Sequence, residues 1–199
     1  MKRFIEGENR GIRLRAQHLA RMAAARYFGF VWSDPAAQLD AACAALDDGA
    51  HRMRLALNAS GTFTLQSAPL AALAQPVRVL VAQQPTFPQD VFLRYKTSIR
   101  STYDAAWRAA EAQGAFDTVF FNERDEVTED GRSNVFVRVD GRWITPALSC
   151  GVLPGVMRAA LLADPVWDAN EGIVTRATAI VACNALRGPM TVALPLPPA

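Results

Sequence analysis

The stretches HRMRLALN, TFTLQSA and VRVLVAQ, between residues 51 and 83, alternate apolar and polar side chains with a period of two. That period puts every second side chain on one face of an extended chain, so the segments are expected to pair as strands with one face buried. An all-helical fold is excluded. Ser60-Gly61 turns the first pair, and the three stretches together suggest an antiparallel meander. Ahead of them, RAQHLARMAAARYF (residues 15–28) places Leu19, Met22, Ala23 and Arg26 at helical spacing and stops at Gly29. A second helix is expected in SDPAAQLDAACAALDDG, with Ser33 or Asp34 as N-cap, Pro35 in the first turn and Gly49 as the stop. Helices beside a meander predict a small two-layer α/β domain over residues 1–84.

QQPTFPQD, residues 83–90, carries Pro85 and Pro88 without any periodicity and is expected to be a linker. A second domain over residues 85–199 follows. STYDAAWRAAEAQG predicts a helix closed by Gly114. Strands are expected in DTVFFN, NVFVRV and RWITP, the last two joined by the hairpin dipeptide Asp140-Gly141. LPGVMRAALLA opens a helix just after Pro154, AIVACNAL and MTVAL have the character of closing strands, and the PLPPA tail is too proline-rich to continue either element. The class is α+β.

Composition narrows the function. The net charge of +2 over 199 residues is small and the basic residues are scattered, so no nucleic-acid partner is expected. No apolar run approaches the roughly 18 residues of a membrane span, and MKRFIEGENRG has no apolar stretch behind its basic pair, so neither membrane nor secretion is indicated. Cys43, Cys150 and Cys183 are odd in number and widely spaced, which fits reduced thiols in a cytoplasm. His18 and His51 are expected to be structural: there is no G-x-S-x-G elbow, no cluster of metal ligands and no G-x-G-x-x-G cradle. No metal is expected.

One residue type is scarce. Of 21 Lys plus Arg only Lys2 and Lys96 are lysines, and 21 less 2 leaves 19 arginines. Arginine stays protonated in proteins, whereas a lysine amine can lose its proton and act as nucleophile or base, which singles out Lys96 in FLRYKTSIRSTYD. The ordinary alternative is a solvated surface lysine. If Lys96 forms a Schiff base with pyridoxal phosphate, an acid must keep the ring nitrogen protonated and a cup must hold the phosphate. Glu129 in VTEDGRSNVFV could be the acid, while the first-turn amides of Val156 and Met157 in LPGVMR, with Arg21 in HLARM, could form the cup. Taken singly, each has a plainer reading: a turn carboxylate, a helix start and a solvated helix arginine. Arg100 and Arg187 are candidates for substrate carboxylates, since a planar fork suits that group; solvent-facing charge is the alternative.

Taken in order, these segments resemble the fold-type IV pyridoxal-phosphate enzymes, the class IV aminotransferase family, and within it the 4-amino-4-deoxychorismate lyase branch. YKT is similar to the Schiff-base lysine segment, VTEDGRSNVFV to the segment whose glutamate faces the pyridine nitrogen, LPGVMR to the phosphate-binding turn and CNALRG to the lyase branch. The resemblance implies a fold like that of D-amino acid aminotransferase, with an antiparallel pseudobarrel sheet and flanking helices in the C-terminal domain. It implies pyridoxal 5'-phosphate as cofactor, with Lys96 holding it and shuttling the proton. Glu129 would pair with the ring nitrogen, and Arg21, Val156, Met157 and Asn184 would grip the phosphate. A homodimer and a small-molecule substrate are implied as well. The activity implied is conversion of aminodeoxychorismate to 4-aminobenzoate and pyruvate; the alternatives are an aminotransferase of branched-chain or D-amino acid type and a catalytically silent relative. Three departures stand out: Tyr95 where histidine is common, Asp130 in place of a glycine, and a short segment ahead of the first helix.

Overall fold

A computed structural model describes residues 11–175 and 179–193. The opening residues 1–10 and the PLPPA tail, on which expectations were placed, lie outside these. The chain divides into two compact units, Met1–Ala72 and Leu73–Ala199.

In the first unit, α1 (Arg15–Met22) runs on as 3-10 turns over Ala23–Phe28 and ends at Gly29, whose φ of 77° suits a residue without a side chain. The Asp34 carboxylate accepts the Ala36 N–H at 2.9 Å and so starts α2 (Ala36–Ala44). β1 (His51–Leu57) and β2 (Phe63–Pro69) pair antiparallel in unbroken register from His51 opposite Pro69 to Leu57 opposite Phe63. Gly61 turns them at φ 79°, and a Cβ there would collide with the Val31 carbonyl. The His51 ring lies 3.0 Å from the Asp47 carbonyl, in keeping with a structural role.

The third alternating stretch leaves the expected meander. β3 (Val77–Val81) belongs to the second unit, so the break between units falls ahead of QQPTFPQD. Val77 and Val79 are buried with Val119, Val135, Ala182, Met190 and Val192 in the core of that unit. Alternation states that one face of a strand is buried and says nothing about which strand lies beside it.

The rest of the second unit follows as α3 (Ser101–Ala112), β4 (Asp117–Phe121), β5 (Val127–Asp130), β6 (Asn134–Val139), β7 (Arg142–Pro146), α4 (Val156–Leu162), β8 (Ala169–Gly172), β9 (Ala179–Asn184) and β10 (Gly188–Ala193). The strands lie in the order β5-β4-β3-β10-β9-β6-β7-β8, and an additional β5–β6 pairing closes the run from β5 to β6 into a barrel-like ring. The closing bridge sets Glu129 opposite Asn134. The expected fold class is therefore found, with one correction inside it: the sheet is mixed, not wholly antiparallel. β3 runs parallel to both β4 and β10, and β7 parallel to β8. Parallel neighbours need a crossover, and α3 lies in the β3-to-β4 connection as α4 lies in the β7-to-β8 connection. The β6–β7 hairpin turns on Asp140 and Gly141 at φ 49° and 84°, the pair of positive values that a two-residue turn requires.

Candidate active site

Glu129 sits on the strand that closes the ring and is only 6% exposed. A carboxylate placed there must find donors, and it finds them on neighbouring segments. Its Oε2 accepts the Leu153 N–H at 3.0 Å and the Asn134 Nδ2 at 2.9 Å; its Oε1 accepts the Tyr103 hydroxyl at 3.3 Å. Burial pushes the carboxyl up to about 7, against the pull of the Leu153 N–H, the Lys96 charge, the Tyr103 hydroxyl and the Arg100 charge. Tyr103 itself is raised, first by burial and then by the Glu129 charge.

Lys96 lies in the irregular segment between a 3-10 turn at Val91–Leu93 and α3. The residue is exposed, and its charge still acts on Glu129. An amine that must meet an aldehyde needs this combination of access and proximity to the acid. Arg100, just before α3, donates through Nε to Asp104 at 2.6 Å and through Nη2 to the Gly131 carbonyl at 2.5 Å. Its guanidinium also lies 5.9 Å from the Tyr103 ring centre, so it is built into the wall beside Glu129.

Val156 and Met157 open α4 and are both buried. Gly155 ahead of them is extended, and a Cβ on it would collide with Asn134 Oδ1. The Leu153 N–H that binds Glu129 comes from the same turn, so the acid and the start of α4 are held together. Asn184 ends β9, with Nδ2 donating to Ser133 Oγ at 3.0 Å and Oδ1 accepting the Arg187 N–H at 2.8 Å. The Arg187 guanidinium is lowered by partial burial and then by the Arg132 charge.

Asp130 points away from Glu129, as successive residues of a strand do. Its Oδ1 accepts the N–H groups of Arg132, at 2.8 Å, and of Ser133, while Oδ2 is buried with no hydrogen-bond partner among the described residues. Burial and then the Asp117 charge raise this carboxyl well above the usual range. Asp117 in turn accepts Arg132 Nε at 2.8 Å, and the Arg132 guanidinium lies 4.8 Å from the centre of Trp107 and 4.6 Å from that of Phe116. The second carboxylate thus shapes the 130–133 turn on which Ser133 and Asn184 meet. The Cys183 thiol is raised by burial and by Asp130, away from reactivity.

Arg21 belongs to the first unit, on α1, where burial lowers its guanidinium. His18, one turn earlier, has a buried Nε2 with no partner among the described residues; burial and then the Arg21 charge bring it to about 4, so the ring is neutral. The second unit accordingly gathers Lys96, Glu129, Arg100, Val156 and Asn184 around the β5–β6 closure. Sequence reasoning passed over Tyr103 and Asn134. Asn134 stood inside the quoted VTEDGRSNVFV, but only closure of the ring shows that its amide meets Glu129. Among the described residues no group of three His, Cys, Asp or Glu could hold a metal, and no helix is long and apolar enough to cross a membrane.

A family model described as Amino-transferase class IV matches residues 4–194. A candidate aminodeoxychorismate lyase of Schizosaccharomyces pombe is 32% identical over 166 residues, covering 80% of this chain and 72% of that protein. Among solved structures, a candidate amino-acid aminotransferase from Mesorhizobium loti is 33% identical with a TM-score of 0.81 over 96% of each chain. A candidate 4-amino-4-deoxychorismate lyase from Legionella pneumophila is 22% identical with a TM-score of 0.77, over 89% of this chain and 75% of its own, a likeness of fold.

Proposed function

The chain belongs to the class IV aminotransferase family, the pyridoxal-phosphate enzymes of fold type IV, and from that premise we propose that it is a lyase converting 4-amino-4-deoxychorismate to 4-aminobenzoate and pyruvate. The observation that carries the reading is the buried Glu129 carboxyl, poised near 7 and acted on by the charge of the exposed Lys96. When bound, pyridoxal phosphate supplies an aldehyde that condenses with an amine and a protonated ring that withdraws electrons. The residues fit that group. Lys96 Nζ would be the amine that anchors the group, and as a free amine it would take the proton from the amine-bearing carbon of the substrate. Glu129 holds the proton at the ring nitrogen: a neighbouring cation draws a carboxyl titrating near 7 into its ionised form. The Val156 and Met157 amides and the Asn184 side chain hold the phosphate. Arg100 and Arg187 orient the substrate carboxylates, and the active form is a homodimer.

The lyase reading is supported by the CNALRG stretch and by the S. pombe relative. The M. loti structure, similar over nearly the whole of both chains, favours a second reading: transfer of an amino group between an amino acid and a 2-oxo acid. Separate incubations with aminodeoxychorismate and with an amino acid plus 2-oxoglutarate distinguish the two. Pyruvate with 4-aminobenzoate supports the lyase, and glutamate supports the transferase. Neither product from cofactor-loaded protein overturns both.

A further inference from the structure

We propose that Asn134 is a positioning residue that ties Glu129 to the turn leading into α4, fixing one carboxylate oxygen so that the other faces the cofactor ring; this rests on the reading of Glu129 as partner of the ring nitrogen. The Asn134 amide group donates to two acceptors, Glu129 Oε2 at 2.9 Å and the Leu153 carbonyl at 2.9 Å. The Leu153 N–H donates to the same Oε2 at 3.0 Å. That oxygen is therefore held from two directions. Oε1 accepts the longer bond from Tyr103, 3.3 Å, and a carboxylate oxygen with two lone pairs has capacity for a new N–H donor beside it.

Neighbouring positions fit an asparagine and little else. Asn134 lies across from Glu129 in the bridge that closes the ring and across from Cys183 on β9, so its backbone is fixed on both sides. Leucine would reach the same space and donate nothing. Aspartate would set a second carboxylate against the first. Glutamine would be too long, because Gly155 already stands where any Cβ would collide with Asn134 Oδ1. Gly155 therefore serves Asn134: its missing side chain leaves room for the amide that reaches Glu129. The two ends of the site, ring acid and phosphate turn, share this one side chain.

The test is a titration of the Glu129 carboxyl in the apo protein, by isotope-edited infrared spectroscopy, alongside the pyridoxal-phosphate dissociation constant. The titratable and charged groups facing Glu129 are the Lys96 and Arg100 cations and the neutral Tyr103 hydroxyl, with Asp130 next along β5; none is substituted in the variants. Removing a donor from a carboxylate disfavours its charged form, so Asn134→Ala should move the titration up by about one pH unit and weaken cofactor binding by about 10-fold. Gly155→Ala keeps Asn134 but displaces its amide, and should move the apo titration in the same direction. An effect of Gly155→Ala confined to the phosphate turn would leave the carboxyl unmoved. Folded Asn134→Ala with an unmoved titration overturns the proposal, and if that variant does not fold, an unmoved titration in Gly155→Ala does so. An upward shift in both variants, with a wild type that binds no pyridoxal phosphate, would support the tie and sink the functional reading alone.

Discussion

In the proposed function Lys96 and Glu129 carry most of the chemistry, and each makes a separate prediction. Lys96→Ala should remove the visible band that borohydride reduces in the wild type and lower turnover by about 10³-fold. Lys96→Arg should fail in the same way, because a guanidinium keeps its charge where a free amine is needed. Glu129 makes a prediction about pH. Its carboxyl has an ordinary value of 4.5 and is raised to about 7 by burial. Between those values the folded apo chain holds a proton that the unfolded chain has released, so apo stability should fall as pH rises from 4.5 to about 7. The loss is at most about 3 kcal/mol. Thermal melts of wild type and Glu129→Gln across that window measure it: the difference should vanish in the variant, and a wild-type contribution that grows with pH would contradict the assignment. Both residues were legible in the sequence as types in order. The poise of Glu129 was not, since burial is a property of what surrounds it.

Among the elements, those with a strong local signal were found where expected. Gly29 and Gly114 stop helices at positive φ, and Asp140-Gly141 turns the β6–β7 hairpin. Gly141 has open space around it, so Gly141→Ala should cost about 1 kcal/mol through backbone strain alone. A lowered denaturant midpoint with an unchanged cofactor spectrum would be the expected result; an unchanged midpoint would count against the turn. β8, ANEG, escaped notice because it is four residues long, shows no alternation and pairs only with β7 along the sheet edge. β3 was recognised as a strand and given the wrong neighbours. Its periodicity matched its burial, and its partners β4 and β10 are distant in sequence.

For the whole molecule, the ring closed by β5 and β6 is what makes a site from scattered segments. Light scattering of the cofactor-loaded protein should give the mass of two chains; the mass of one would remove the proposed homodimer. By itself the sequence determined the strands and helices with clear period and stops, and the order of Lys96, Glu129 and the LPGVMR turn that marks the family. These follow from local backbone geometry, which repeats every 2 or about 3.6 residues whatever lies beyond it. Only the tertiary structure decided that β3 joins the second unit, that Asp130 turns away into the 130–133 turn, and that Asn134 and the Leu153 amide grip Glu129. Strand partnership and burial depend on surfaces contributed by residues far along the chain, and no local period encodes them.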